Sequence, residues 1–547
     1  VRYISLLFIS LIISELAAQS TDIPLNSRAY PILDRWETQS GQTFFSTVKP
    51  LSRKVFASAL SKTKSESLIS NEFEKNFILL ETRDYHDSIS PNPQPLFGRF
   101  FKYPSDAFQV NERNFVLHAN PITSIGVGTE AKGQLLFENY RGVELHGTID
   151  NKVSFYTMFT ENQARYAGYI RSVTDSTLGV PYEGFWKQYR ETGVDFLRAQ
   201  AYIDFNITEH IGAQFGYGKH FIGDGRRSLI LSDFGNNYPY LRLNTQVWKI
   251  KYTNIFAQLI GQTQGGDFGL RGTGSFTQKQ LATHHLSLNL AKNFNIGFFE
   301  SVIYGDSTGN LKVGYFNPII FYRILEQQDG SADNVIMGMD FKWNLWKRFC
   351  LYGQLVIDEL VVGEAFSDSG WWGNKQGFQL GAKYFDVFGI SNLNAQLEWN
   401  SVRPYVYAHE SNFTSYSHYN MALAHPLGAN FRETLISINY QPISRLTIYG
   451  DLLLARYGKD QGGINYGQDI LRSYADGRPG DYGNDMFQGE DTNLTMMQWR
   501  ATYAIMHNLE VDLGYIFREE SSEQSTESTN IVNATVRWNF PYRSYLF

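Results

Sequence analysis

Residues 196–207, FLRAQAYIDFNI, place Leu197, Ala199, Ala201, Ile203, Phe205 and Ile207 on one face of an extended chain. Arg198, Gln200, Asp204 and Asn206 fall on the other, because successive side chains of a strand point to opposite sides. One face suits lipid and the other suits water. The same division recurs in LNAQLEWNS, where Leu393, Ala395, Leu397 and Trp399 oppose Asn394, Gln396, Glu398 and Asn400. It recurs again in LEVDLGYIF, where Leu509, Val511, Leu513, Tyr515 and Phe517 oppose Glu510, Asp512 and Gly514. Many such segments run about 10 residues, the length a tilted strand needs to cross a bilayer.

Alternating segments continue from 109–119, 132–140 and 141–149 near the start to 508–519 and 529–540 near the end, and predict about eighteen strands. Some connections are very short, as in NITEH after Phe205 or AKNFN after Leu290, and others are long: 162–194, 261–282, 361–375, 403–431 and 458–492. Short turns at one end and long loops at the other are the asymmetry of an outer-membrane barrel. The expected fold is therefore an all-β transmembrane barrel of about 18 antiparallel strands over residues 96–547, in the outer membrane of a Gram-negative cell and in contact with its lipid. The last segment, IVNATVRWNF, sets Val532, Ala534, Val536, Trp538 and Phe540 outward. The closing Tyr545-Leu546-Phe547 reads as the terminal aromatic signature of such a strand.

Composition agrees and narrows the partners. Of 547 residues, 54 are acidic and 48 basic, a net charge of −6 with no basic run, which argues against nucleic acid. Aromatic residues make up 15% and mean hydropathy is −0.31, a balance that fits a barrel with an apolar exterior and a polar lumen. The single cysteine, Cys350, lies in FCLYGQLV and reads as an apolar neighbour within a strand.

The first nineteen residues have Arg2 ahead of an apolar stretch and a small-residue exit at Ala17-Ala18-Gln19, the pattern of a secretory signal peptide. Residues 20–95 are helical in texture and are expected in the periplasm. Tyr30, Leu33 and Trp36, then Val55, Phe56 and Leu60, then Leu68, Phe73, Phe77 and Leu80 fall at helical spacing and predict three short amphipathic helices. SISPNPQPLFG follows as a Pro-rich connector.

No catalytic constellation emerges, and no enzyme, metal or cofactor is expected. His284 and His285 are adjacent in a strand and so point to opposite faces. HExxH and GxSxG are absent, and GYGKHFIGDGRRS lacks the spacing of a phosphate-binding loop. Three regions carry candidate chemistry instead. The stretch from Tyr217 to Leu243 combines glycines with Lys219, His220, Asp224, Arg226 and Arg227, which suits either a solvated loop or a loop folded into the barrel to hold an anionic polymer. Arg323, Glu326, Asp333, Asp340, Asp358 and Glu359 are expected to form a charge network in the lumen. Trp371 and Trp372, with Tyr405, Tyr407, Tyr416 and Tyr419, offer flat faces on which sugar rings stack, although barrels also concentrate aromatics for membrane reasons.

The LDRWE segment near the start, then GDGRRSLILSDFGNNYPY, FNPIIFYR, DNVIMGMDF and LYGQLVIDE, resemble the Wzi capsule-assembly family of outer-membrane proteins, and within it most the RemB gliding-motility branch. The resemblance implies an eighteen-stranded barrel with a periplasmic helical bundle. It further implies a role in attaching or organising capsular polysaccharide at the cell surface, or in supporting gliding motility, secreted adhesins and their machinery. The expected function is thus a non-enzymatic barrel that binds surface polysaccharide or anchors surface machinery. A general diffusion porin or substrate channel is the main alternative, and a secreted carbohydrate-processing β-protein the third.

Overall fold

A computed structural model describes residues 20–65, 71–85, 105–130, 133–261, 276–305, 312–319, 321–329, 333–359, 361–365, 367 and 369–547. The signal segment, Leu68 and the Pro-rich connector lie outside them. Eighteen antiparallel strands close into one barrel. The last strand, Thr526–Trp538, pairs with the first, Phe115–Glu130, in the register Ile531 to Glu130 through Trp538 to Thr123. Closure removes the unpaired strand edges, the condition for a sheet to stand in lipid.

The predicted segments map onto this wall with two rearrangements. The pieces 132–140 and 141–149 are a single strand, Gln134–Ile149, whose pairing with its neighbours runs unbroken through Tyr140 and Arg141. Segment 109–119 divides into a hairpin strand, Phe108–Glu112, and the start of the first barrel strand. The assigned faces hold: Leu197, Ile203, Phe205, Leu397, Leu513, Val532 and Val536 are exposed on the outer wall, while Tyr202, Glu398, Glu510 and Asp512 are buried inside. No helix among the described residues is long and apolar enough to cross a membrane.

The three predicted helices form at α1 (Ala29–Ser40), α2 (Arg53–Ser65) and α3 (Glu72–Glu81). α1 stops at Gly41, whose φ of +62° lets its N–H reach back to the Thr38 carbonyl. α3 starts where the Asn71 side chain accepts the N–H groups of Phe73 and Glu74. Leu33, Trp36, Phe56, Leu60 and Phe77 form their shared core. The bundle is pinned to the short-turn end of the barrel. Arg35 bonds Asp386 at 2.8 Å, Asn71 bonds Gln441 at 2.9 Å, and Glu81 accepts from His507 at 3.0 Å.

The chain end departs from the sequence reading. The ladder stops at Trp538, Asn539 adopts a φ of +52° and Pro541 follows, and the remaining residues turn back into the lumen. Phe540, Leu546 and Phe547 are buried there, and Tyr169 donates to the Tyr545 carbonyl at 3.0 Å. Tyr545-Leu546-Phe547 therefore serves as packing inside the barrel rather than as a membrane-edge aromatic.

Candidate functional site

The lumen is occupied from both ends. Residues 219–237 leave the strand Ile211–Gly218, fold inward and return at Tyr238–Val247. Leu229, Ile230 and Leu231 are fully buried within them, in the same apolar cluster as wall residues Ile255, Leu259 and Leu453. Thr47 and Asp224 are joined at 3.0 Å, and Val48 pairs with Ile222, so the N-terminal segment meets this plug inside the barrel.

Most of the candidate ligand groups are used up in holding the plug. Lys219 donates to the carbonyls of Tyr182, Gly235 and Asp233 at 2.8, 2.9 and 3.1 Å, and burial pushes its ammonium down to about 7. His220 stands edge-on to Tyr240 and bonds Tyr238, with burial holding it well below the ordinary histidine range. Arg227 forms a forked pair with Glu433, 2.8 Å at the closest, and also donates to the Leu546 carbonyl. Glu433 in turn accepts from His425 at 2.9 Å. Only Arg226 keeps an open side: its backbone N–H bonds Glu398 at 2.7 Å, while its half-exposed guanidinium extends to 3.5 Å from Asp451.

Arg226 borders a cavity of about 400 Å³ between the N-terminal segment, the plug and the C-terminal tail. Arg28, Arg500 and Arg537 line it together with Asp451 and Glu510. The charges are mutually paired: Arg28 to Glu510 at 3.0 Å, Arg537 to Glu510 at 2.6 Å and Arg500 to Asp512 at 3.2 Å. The lining carries nine basic and seven acidic side chains, so charges of both signs interleave with a small basic excess.

The six residues expected as one lumen network separate into three places. Asp340 is inside, 2.6 Å from His285. Asp358 and Glu359 meet Lys375 at the loop end, at 3.0 and 3.5 Å. Arg323, Glu326 and Asp333 are not in the lumen at all. They belong to the stretch described at 312–319, 321–329 and 333, whose Tyr315, Tyr322 and Leu325 pack on the outside of the barrel with outward-facing Phe256, Ala282 and Val302. Alternation fixes this placement: Arg242 points inward to Asp22, so Leu241, and its cross-strand partner Phe256, point outward.

At the loop end, Trp372 lies between Arg478, 4.2 Å from its ring centre, and Tyr474 at 4.5 Å. Its N–H bonds the Asp481 carbonyl at 2.9 Å, so it zips the 361–374 loop to the 460–489 loop. Trp371 and Trp372 both stay half-buried, and Tyr482 on the facing loop is exposed. Tyr405, Tyr407 and Tyr416, expected as sugar platforms, are fully buried. Their hydroxyls donate to the carbonyls of Asn465, Leu229 and Ile230, because the 403–430 loop also dips into the lumen.

Two features escaped the sequence reading. Lys342 is a hub on the inner wall, with Glu37 at 2.5 Å, Asp34 at 2.9 Å and Asp224 at 3.1 Å, and so joins α1, the plug and the barrel. Its position on the polar face of a strand was legible, but Glu37 and Asp34 lie 305 and 308 residues away and Asp224 belongs to the plug. Asp106, His118 and His146 also converge within 4.8 Å, a metal-capable spacing. Both His118 ring nitrogens, however, already face carboxylates, Asp106 at 3.0 Å and Asp84 at 2.9 Å, and Arg83 holds Asp106 at 2.7 Å. That arrangement is an ion-pair cluster.

No known protein-family profile matches the chain, and no curated protein sequence matches it. Among solved structures, Wzi, an outer-membrane protein involved in group 1 capsule assembly in Escherichia coli and a carbohydrate-binding β-barrel, aligns with a TM-score of 0.57. The identity is 12%, over 95% of this chain and 100% of Wzi. OprD of Pseudomonas aeruginosa aligns at 0.42 with 9% identity, over 77% of this chain and 94% of its own. OpdK of the same organism, solved with vanillate, aligns at 0.43 with 8% identity, over 77% and 98%. What the chain shares with Wzi along its whole length is the barrel fold.

Proposed function

We propose that the protein is an outer-membrane barrel that holds surface polysaccharide at its loop end, with the α1–α3 bundle in the periplasm after removal of a signal peptide at 1–19. The observation that carries this reading is the filled lumen. An apolar plug core, an inward C-terminal tail and a docked helical bundle leave a cavity of about 400 Å³ where a diffusion porin would keep a continuous channel. The likeness in fold to a carbohydrate-binding barrel supports the same direction. At the loop end, half-buried Trp371 and exposed Tyr482 supply aromatic faces, a surface suited to stacking sugar rings.

The test is sedimentation of the purified protein in liposomes with surface polysaccharide extracted from its own cells. Binding that Trp371→Ala with Tyr482→Ala reduces at least tenfold supports the reading. Unchanged binding would move the contact elsewhere on the loops. No binding by a folded barrel would leave anchoring of motility or secretion machinery, or transport through the charged cavity, as the better account.

A further inference from the structure

The outer wall carries polar residues where lipid would be expected. Asn254, His284 and Glu300 stand side by side across three neighbouring strands, in the registers Asn254 to His284 and His284 to Glu300, and all point outward. All three are nevertheless buried. Uncovered polar groups on a lipid face are costly, so a cover is required.

The cover is the stretch 312–319 and 321–329, which runs down the outside of the barrel. Its turn reaches far: the Pro318 carbonyl accepts from the Tyr252 hydroxyl and from Asn254 Nδ2 at 3.1 Å. Tyr252 is the third residue of Ile250–Ile260, counted from the short-turn end, so the tip lies beside the membrane-spanning part of the wall. The segment then rises as the helix Tyr322–Asp329. The Glu300 carboxylate accepts the N–H groups of Tyr322 and Arg323, both at 2.8 Å, and the His284 ring stacks on Tyr322 at 4.4 Å. Wall and strap satisfy each other. The polar wall residues bind backbone groups that lipid could not, and the strap covers side chains that lipid would reject.

The strap's other side is apolar and uncovered. Ile319 is 81% exposed, Val313 78% and Phe321 68%, with Phe316 and Ile324 also open. This surface continues into the exposed wall residues Phe298 and Met337, which flank Glu300. Of its charged side chains, Arg323 pairs with Glu326 at 2.5 Å and Lys312 with Asp333 at 2.6 Å.

We propose that residues 312–319 and 321–329 form a membrane-embedded strap whose Val313, Ile319 and Phe321 contact the acyl chains of the surrounding lipid, latched to the barrel through Glu300. The occupant is lipid because the exposed patch is continuous with the apolar belt that any such barrel presents to the bilayer. The strap widens the lipid-facing surface on one side of the barrel.

Nitroxide labels at Ile319→Cys and Phe321→Cys test this, since Cys350 is fully buried and leaves the introduced thiol as the reactive one. In phosphatidylcholine–phosphatidylglycerol liposomes, collision with oxygen should exceed collision with a water-soluble nickel chelate several-fold at both sites. The same preference is expected at Leu397→Cys on the wall, and the reverse at Asp476→Cys in an exposed loop. Nickel-dominated contact at Ile319 would place the strap in water, and protection from both reagents would mean that protein covers it; either result overturns the proposal. Glu300→Leu, a residue welcome on a lipid-facing wall, should leave heat-resistant barrel migration intact yet lower the oxygen-to-nickel ratio at Ile319 several-fold. An unchanged ratio in that folded variant would remove Glu300 as the latch, whereas the wild-type ratio decides lipid contact whether or not the variant folds.

Discussion

The Lys342 ammonium lies 2.5 Å from a Glu37 carboxylate oxygen, and this pair ties the helical bundle to the inner wall of the barrel. Both groups are buried, and Asp34 and Asp224 share the same ammonium. A lysine removed from such a cluster leaves three carboxylates without their main counter-charge. Lys342→Met should therefore destabilise docking by about 3–5 kcal/mol, the usual cost of leaving buried charge uncompensated. Limited proteolysis is the measurement. The bundle should become cleavable while the barrel keeps its heat-resistant migration, and a bundle as resistant as wild type would contradict the assigned role.

The two adjacent arginines of the plug should behave differently. Arg227→Ala strands Glu433 in the lumen and should cost about 3–5 kcal/mol, visible as increased ion leakage through the barrel. Arg226→Ala loses only a half-exposed contact to Asp451, worth less than about 1 kcal/mol, and should leave leakage unchanged. Equal effects at the two positions would show that the plug is not held as described.

Opposite faces of one strand supply a third prediction. Leu397 is exposed on the outer wall, whereas Gln396 points inward and donates to the Tyr352 hydroxyl at 2.6 Å. Leu397→Arg should cost about 2–4 kcal/mol if it lies near the bilayer midplane. Gln396→Arg should cost about 1 kcal/mol, the value of a typical hydrogen bond. Reversible unfolding in denaturant from lipid vesicles would rank them, and the reverse order would invert the face assignment.

Acid should loosen the bundle. Burial works against ionised Glu81 and Asp34, but Arg53 beside Glu81, and Lys342 and Lys383 beside Asp34, hold both carboxyls below the usual carboxylate range. Groups with depressed folded pKa values contribute stability above their unfolded values near 4 and lose it as pH falls through the folded ones. Protease resistance of residues 21–85 should thus be full at pH 6 and decline below about pH 4. Glu81→Gln should weaken docking already at pH 6 and flatten part of the decline. A bundle equally resistant from pH 6 to pH 2 would contradict this assignment.

The wall was legible in the sequence because its code is local. Leu197 to Ile207 alternate in and out whatever the rest of the chain does, and α1 to α3 carry their own apolar stripes and caps. The interior was not legible, because its contacts join residues far apart in the chain. Arg227 and Glu433 are separated by 206 positions, and Lys342 and Glu37 by 305. Charge alone marked Arg226 and Arg227 alike, and only the fold distinguishes the buried clamp from the open side chain. Arg323 and Asp333 were assigned to the lumen because charges beside a lipid face are unexpected. A segment that folds outward to cover Glu300 has no periodic signature. Trp371 and Trp372 looked equivalent as neighbours in a turn, and both are half-buried, yet it is Trp372 that meets Arg478 and Tyr474 of the opposing loop.

The filled lumen is the claim on which the functional reading depends, and planar-bilayer conductance of the purified full-length protein measures it. The account predicts a largely silent protein, with steps far below those of an open eighteen-stranded porin, and large steady steps once residues 21–95 are deleted. Full-length protein that conducts like a general diffusion porin would contradict the plug and make solute passage the better description of what this barrel does.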